Sequence, residues 1–282
     1  MAELYLAQDT RDGESVCVKR ILPYLAAENE FSSMFLDEAR IASTLHHPNI
    51  VAVRDLGNTA DNIYIVMEFV DGLDLRRVAQ EELKKKHQTP YALAAWVVAR
   101  VAGGLGYAHD ICWPRGHARA GKRIGLIHRD VSPQNVMLSY DGDVKLVDFG
   151  IAKASEEMDK TKPGIIKGKF LYLAPEQTTG EKLDHRADLF ALGTLLYEVT
   201  TGKSPFQRAT AEGVIVAIRS EEPEDPKKLR RDFPLELTRI IRKCLQKDRE
   251  KRYHTGAEVA ADLDAWLEGQ DETGPGELAA YL

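Results

Sequence analysis

Hydrophobic and polar residues alternate along the first part of the chain, as they do in half-buried strands. The segments AELYLAQDT and ESVCVKRIL show this alternation and are separated by RDG, a sequence typical of hairpin turns. Apolar residues then recur every three or four positions from Phe31 to Ala42, which predicts a helix. The segments IVAVRDLGN and NIYIVMEFV predict two more strands. The chain therefore begins with a small, strand-rich half that contains one helix.

The pattern becomes mainly helical after residue 70. The segment YALAAWVVARVAGGLGYAHD predicts a long buried helix, and VMLSY and DVKLVDF predict two short strands. Helices joined by Pro- and Gly-containing loops follow from about residue 184. This order predicts an α+β fold with two lobes: a small antiparallel sheet in residues 1–70, a helical lobe in 71–268, and a loosely attached tail or linker in 269–282.

Composition excludes several classes of protein. The 282 residues carry a net charge of −6 without a basic stripe, so we expect no nucleic-acid partner. The three cysteines are far apart and form no CxxC, which argues against zinc or a disulfide framework and favours a reducing, cytoplasmic location. No apolar run reaches the roughly 18 residues of a membrane helix. We expect no membrane contact within this chain, and tethering by segments outside it stays open.

Four short motifs and one glutamate carry the candidate chemistry. HRDVSPQN places Asp130 and Asn135 five positions apart, and DFG begins thirteen residues later at Asp148. LAPEQ follows with Glu176, and VCVK places Lys19 on an early strand. Glu38 lies on the helix after that strand. Each motif alone is weak evidence, but their order and spacing together are highly specific.

This ordered set resembles the protein kinase superfamily, specifically the bacterial serine/threonine kinases of the eukaryotic-like (Hanks) type. The resemblance covers residues 2–268. It implies a two-lobed kinase fold that binds ATP between the lobes with Mg²⁺, or Mn²⁺ as an alternative. It further implies transfer of the γ-phosphate to hydroxyl groups of protein substrates, for which a homodimer that phosphorylates itself is one arrangement.

The resemblance also implies roles for individual residues. Asp130 would accept the proton of the substrate hydroxyl, and Asn135 and Asp148 would hold Mg²⁺ through hard oxygen ligands. Lys19 would hold the α- and β-phosphates, and Glu38 would hold Lys19 in place. Surface charges on loops are the structural alternative for these residues.

The remaining implied positions form the adenine pocket and its supports. The carbonyl of Glu68 and the amide of Val70 would bond the base, Met67 would guard the inner pocket, and apolar contacts would come from Leu4, Cys17 and Met137, for which plain core packing is the alternative. Asp188 would anchor the catalytic-loop backbone, and Glu176 would pair with buried Arg252.

The sequence departs from the family at its glycine-rich loop. Aligning Leu4 with the last position of that motif puts Ala2 on its third glycine, so the first two glycines and their strand would precede residue 1. Three explanations stay open: the sequence is a piece of a longer chain, its start was assigned late, or the protein lacks the loop. The AGGLG segment at 102–106 lies in a helical pattern and is interpreted as a helix-packing feature.

A second departure is Ser132, where most serine/threonine kinases carry a lysine that meets the γ-phosphate. Lys169 stands where the family usually has threonine, so we hypothesise that Lys169 faces Ser132 and supplies the missing charge. A Lys169 that points to solvent is the alternative. An unchanged transfer rate in Lys169→Thr would contradict the swap.

Regulation and activity leave further alternatives. Residues 148–176 would form the activation segment, with Arg129 pairing a phosphorylated Thr161 or, as second choice, Ser155. An unmodified segment is the alternative. The serious functional alternative is a pseudokinase or scaffold module that binds nucleotide without turnover; without the glycine loop, this chain would itself be weakly active or inactive.

Overall fold

The computed structural model describes residues 2–22, 35–36, 39–59, 63–113, 120–149 and 169–282. Its first half contains one antiparallel sheet of four strands in the order β1-β2-β4-β3. The strands are β1 (Ala2–Gln8), β2 (Ser15–Ile21), β3 (Val53–Asn58) and β4 (Ile63–Glu68). Residues 39–42 are helical and pack on this sheet, where Ala39 joins a small core with Ile21 and Ile65.

The hairpin between β1 and β2 forms at the predicted turn. The amide of Gly13 donates to the carbonyl of Asp9 at 2.8 Å, and Gly13 has a φ of +79°, which favours glycine. The Asp9 carboxylate accepts from the guanidinium of Arg11, which holds the pKa of Asp9 down at about 2. The turn fixes the register in which Lys19 of β2 lies opposite Leu4 of β1.

The second half is mainly helical, as the sequence predicts. Its elements are β5 (Gly72–Asp74), α1 (Leu75–Lys85), α2 (Tyr91–Asp110), β6 (Val136–Ser139), β7 (Val144–Leu146), α3 (Pro175–Thr179), α4 (Arg186–Thr201), α5 (Ala211–Ser220), α6 (Pro226–Leu229), α7 (Leu235–Cys244), α8 (Gly256–Leu267) and α9 (Pro275–Tyr281). Strands β5, β6 and β7 form a second small sheet. The predicted α+β fold with a small antiparallel-sheet lobe and a helical lobe is confirmed.

Helix α2 is apolar on all sides because it lies in the centre of the helical lobe. It packs against α4, α8 and β7. The close approach to α8 depends on glycine, since a Cβ on Gly256 would lie 2.4 Å from the carbonyl oxygen of Ala102. By length and composition, α2 alone among the described residues could cross a membrane, but most of it is buried inside the protein.

The last segment differs from the loosely attached tail that the sequence predicts. Helix α9 places Leu278 in the main core with no exposed surface. Its first residue presses on the turn between β6 and β7, where a Cβ on Gly142 would lie 2.1 Å from the carbonyl oxygen of Pro275. At its other end, the hydroxyl of Tyr281 donates to the carboxylate of Glu82 on α1. The residues before α9 are polar and rich in glycine, and for this reason the sequence predicted a loose tail instead of a short apolar helix.

Leu278→Ala is expected to lower the free energy of unfolding by about 2–3 kcal/mol, because a fully buried leucine would leave a cavity that a short helix only partly closes. Urea unfolding followed by far-UV circular dichroism measures the change. Leu83→Ala on α1 is the matched control, because Leu83 is 77% exposed. Equal effects of the two substitutions would show that α9 is not held by its core contact.

Candidate active site

The loop that carries Asp130 is held from below by one carboxylate. Asp188, on α4, accepts the backbone N–H of His128 and of Arg129, each at 2.8 Å. Arg129 adopts a φ of +67°, an uncommon conformation for a non-glycine residue that these bonds help to fix. The loop geometry at Asp130 is therefore set by a helix of the core.

Asp188 stays charged although it is fully buried. Burial alone would raise the pKa of Asp188, but the hydrogen bond from Nε2 of His109 at 2.8 Å and the backbone N–H of His128 lower it below its usual value. Sequence reasoning did not identify His109. Its position in the last turn of α2 was a signal, since a lone polar side chain there faces the core.

The structure brings Asp130, Asn135 and Asp148 together through backbone bonds. The side-chain amide of Asn135 donates to the carbonyl oxygen of Asp130 at 2.7 Å. The carbonyl oxygen of Asn135 in turn accepts the N–H of Val147, the residue before Asp148, at 2.9 Å. The ring of His128 contacts the carbonyl of Val147 through Nε2 at 3.0 Å. The two motifs thus lie side by side at the end of β7.

Lys19 reaches across from the small lobe to this group. Its Nζ lies 2.7 Å from Oδ1 of Asp148, and the two side chains are 18% and 41% exposed. Asp148 has a φ of +60°, so the residue is held in a strained backbone conformation beside the ammonium group. A partly exposed cation and carboxylate in this arrangement can bind a phosphate chain and its counter-ion.

The oxygen donors present fit a magnesium ion that is shared with phosphate. Among the described residues there is no cluster of three or more His, Cys, Asp or Glu side chains that could hold a metal. Because the amide nitrogen of Asn135 donates to Asp130, its amide oxygen is the atom that could act as a metal ligand together with the Asp148 carboxylate. Mg²⁺ commonly takes one or two such protein ligands and completes its shell with phosphate oxygens and water.

The predicted adenine pocket lies between β2 and the end of β4. Cys17 pairs with Met67 in register. Met67 also lines a small inner cavity of about 30 Å³ with Lys19, Asp148 and Phe149. Burial and then the nearby Asp148 carboxylate raise the pKa of the Cys17 thiol, so the thiol is neutral. Leu4 is 64% exposed on the edge strand β1.

A cross-lobe contact at Glu68 was not expected from the sequence. Its carboxylate accepts the backbone N–H of Ala52 at 2.9 Å in the small lobe. The same carboxylate lies 3.1 Å from Nζ of Lys145 on β7 in the large lobe. Lys145 is the polar residue between two buried positions of a strand, a pattern that predicts the face but not the partner.

A family model described as the protein kinase domain matches residues 1–262. The chain belongs to the protein kinase family. Among curated relatives, a tyrosine-protein kinase, MasK of Myxococcus xanthus, is 40% identical over 100% of this chain and 44% of its own length. The serine/threonine-protein kinase PknB of Mycobacterium tuberculosis is 36% identical over 98% of this chain and 42% of its own length. The chain thus spans less than half of the length of these relatives.

Comparison with a solved structure also identifies a protein kinase fold. The PknI kinase domain of M. tuberculosis is 28% identical, covers 96% of this chain and 92% of its own, and superimposes with a TM-score of 0.69. The family and the two-lobed fold that the sequence resemblance implies are therefore confirmed. The roles of individual site residues stay predictions.

A buried ion pair anchors α3. Arg252 donates to the two carboxylate oxygens of Glu176 at 2.6 and 2.8 Å, and neither side chain is more than 4% exposed. The other three guanidinium N–H groups donate to the backbone carbonyls of Gln246, Arg186 and Lys247. Every donor of Arg252 has an acceptor, which a buried guanidinium requires.

Four predicted positions lie outside the described residues. They are Glu38, Ser155 and Thr161, together with the side chain of Lys169. Ser132, the other half of the hypothesised charge swap, is described and is only 7% exposed. The pairing of Lys19 with Glu38, the phosphorylation sites and the swap therefore stay predictions.

Proposed function

We propose that this chain is the catalytic unit of an ATP-dependent protein kinase that phosphorylates serine and threonine. The observation that carries the proposal is the grouping of Asp130, Asn135 and Asp148 beside Lys19 at the boundary of the lobes. A scaffold without turnover has little physical need for all four groups. The comparisons give no support to the pseudokinase alternative.

Each residue has a separate task in this proposal. Lys19 would bind the α- and β-phosphates, and Asn135 and Asp148 would hold a magnesium ion, which would neutralise charge on the triphosphate. Asp130 would orient the substrate hydroxyl and accept its proton at the carboxylate as the oxygen attacks the γ-phosphorus, the bond to the β-phosphate oxygen breaks and ADP leaves. Hinge groups of Glu68 and Val70 bind the base. Most of the rate acceleration then comes from positioning and electrostatic stabilisation.

Transfer from γ-labelled ATP to protein is expected to require a divalent cation and to label serine or threonine. EDTA should abolish transfer, and both Mg²⁺ and Mn²⁺ should restore it, because the two ligands of the site are hard oxygens. Acid hydrolysis of the labelled product identifies the acceptor. The name of the M. xanthus relative makes tyrosine the second candidate, and label on phosphotyrosine alone would contradict the serine/threonine assignment.

Regulation through the activation segment forms part of the proposal. Arg129, whose backbone N–H bonds to Asp188, would pair with a phosphate on Thr161 or Ser155. A homodimer in which one copy phosphorylates the other would supply that phosphate. Cys17, Cys112 and Cys244 are free thiols. Free thiols are typical of proteins that act in a reducing compartment, which supports a cytoplasmic location.

A further inference from the structure

The first turn of α1 lies beside the catalytic loop. Strand β5, which leads into α1, pairs with β6 so that Asp74 lies opposite Met137. Helix α1 also packs against the single 3₁₀ turn Pro133–Asn135, which joins Asp130 to β6. Side chains at the start of α1 therefore lie near the loop that carries Asp130, within reach of a polypeptide bound there.

Arg76 and Arg77 occupy this turn, and both are exposed. Neither has an ion pair with a carboxylate among the described residues, although arginine pairing is common in the rest of the described chain. Ten arginines there have a carboxylate within ion-pair distance: Arg11, Arg20, Arg54, Arg100, Arg123, Arg186, Arg208, Arg242, Arg249 and Arg252. Two guanidinium groups at the cleft are thus available to a ligand.

The acidic groups nearest to this turn are engaged elsewhere. Asp74 uses a carboxylate oxygen to cap α1 by accepting the backbone N–H of Arg77 at 2.9 Å. Glu198 accepts the hydroxyl of Tyr172 at 2.5 Å. Burial raises the pKa of Glu198 most, and the Tyr172 bond and the charge of Arg76 oppose that rise. Exposed Gln134, between Asp130 and Asn135, is neutral.

The influence of Arg76 on Glu198 and Tyr172 also locates it. Tyr172 ends the turn Lys169–Tyr172 directly before α3, and the charge of Arg76 acts on its hydroxyl. Since Asp74, two residues before Arg76, pairs with Met137 of β6, Arg76 also lies close to the catalytic loop. Lys84 and Lys85, at the other end of α1, form an ordinary solvated basic face and do not lie near the catalytic loop.

We propose that Arg76 and Arg77 select protein substrates that carry an acidic side chain, a carboxylate or a phosphate, close to the hydroxyl that is phosphorylated. The inference rests on the proposed kinase activity, whose substrate class it narrows. Guanidinium groups bind both anions through paired N–H bonds, which gives direction as well as charge. Because the chain as a whole carries a charge of −6, acidic polypeptides would gain this attraction only locally, at the cleft rim.

The test compares peptides of one length that contain a single threonine. In each peptide, the positions on one side of the threonine carry glutamine, glutamate or phosphoserine, and a second set carries them on the other side. The wild-type protein is expected to prefer the acidic peptides over the glutamine peptide about three- to tenfold in kcat/KM, the scale of two exposed ion pairs. The preference should fall as salt is raised. Arg76→Gln with Arg77→Gln should bring the ratio close to one, and Arg76→Glu with Arg77→Glu should favour a lysine peptide.

A charge-matched control separates local recognition from net charge. Arg231→Gln with Arg239→Gln removes the same two charges from exposed positions and should keep the preference. Peptide affinity is also measured by fluorescence anisotropy on an Asp130→Asn background, which needs no turnover. A wild-type ratio near one in both assays, or a preference that survives in the Arg76 and Arg77 variant, would overturn the inference. Absent transfer with a retained affinity ratio would overturn only the proposed catalysis.

Discussion

Asp130→Asn is expected to lower the rate of phosphate transfer by about 10²–10⁴, the usual contribution of a positioned proton acceptor. The amide is nearly isosteric with the carboxylate but cannot take the proton of the substrate hydroxyl. The loop should keep its shape, because the backbone groups of Asp130 bond to His128 and Asn135, and Asp188 holds the two residues before it. The affinity for nucleotide should therefore change little.

Initial rates at saturating ATP and magnesium measure this effect, and a fluorescent nucleotide reports binding. Asp141→Asn is the matched control, because it makes the same chemical change at an exposed position in the turn between β6 and β7. If Asp130→Asn kept a rate similar to that of the control variant, Asp130 would not be the proton acceptor.

Arg252→Met is expected to lower the free energy of unfolding by about 3–5 kcal/mol. The substitution leaves the carboxylate of Glu176 buried without its partner, and it leaves three backbone carbonyls without the donors they now have. The helix that begins at Pro175 would lose its main polar anchor. Transfer activity should fall with the stability of this helix, because α3 holds the end of the segment that precedes it.

Urea unfolding compares this variant with two others. Arg242→Met removes an exposed pair with Asp225 and should cost less than about 1 kcal/mol. Glu176→Met combined with Arg252→Met removes both buried charges, and should recover part of the loss because no uncompensated charge remains. A double variant no more stable than Arg252→Met alone would show that the buried, unpaired carboxylate is not the cause of the loss.

The local sequence pattern was sufficient to predict the fold and part of the candidate site. The alternation in β1 and β2 and the apolar length of α2 are properties of short segments, so they are readable without a structure. Asp130, Asn135 and Asp148 were found for a similar reason, because each motif is contiguous. Asp188 was also found, since it opens a strongly apolar helix.

Contacts between distant segments could not be predicted in the same way. The bond between Glu68 and Lys145 joins residues 77 positions apart. Helix α9, which buries Leu278, contacts Glu82, which is 199 positions from Tyr281, and the turn at Gly142. The contact of Lys19 with Asp148 joins residues 129 positions apart, whereas the predicted partner Glu38 lies outside the described residues. In each case the partner is chosen by tertiary packing, which a single sequence does not encode locally.

The carboxylate of Glu68 has a consequence for motion between the lobes. One side chain holds an amide of the small lobe and an ammonium group of the large lobe at the same time. We expect an opening of the cleft about this residue to lengthen one of the two bonds, so this pair of contacts favours the angle between the lobes that the structure shows.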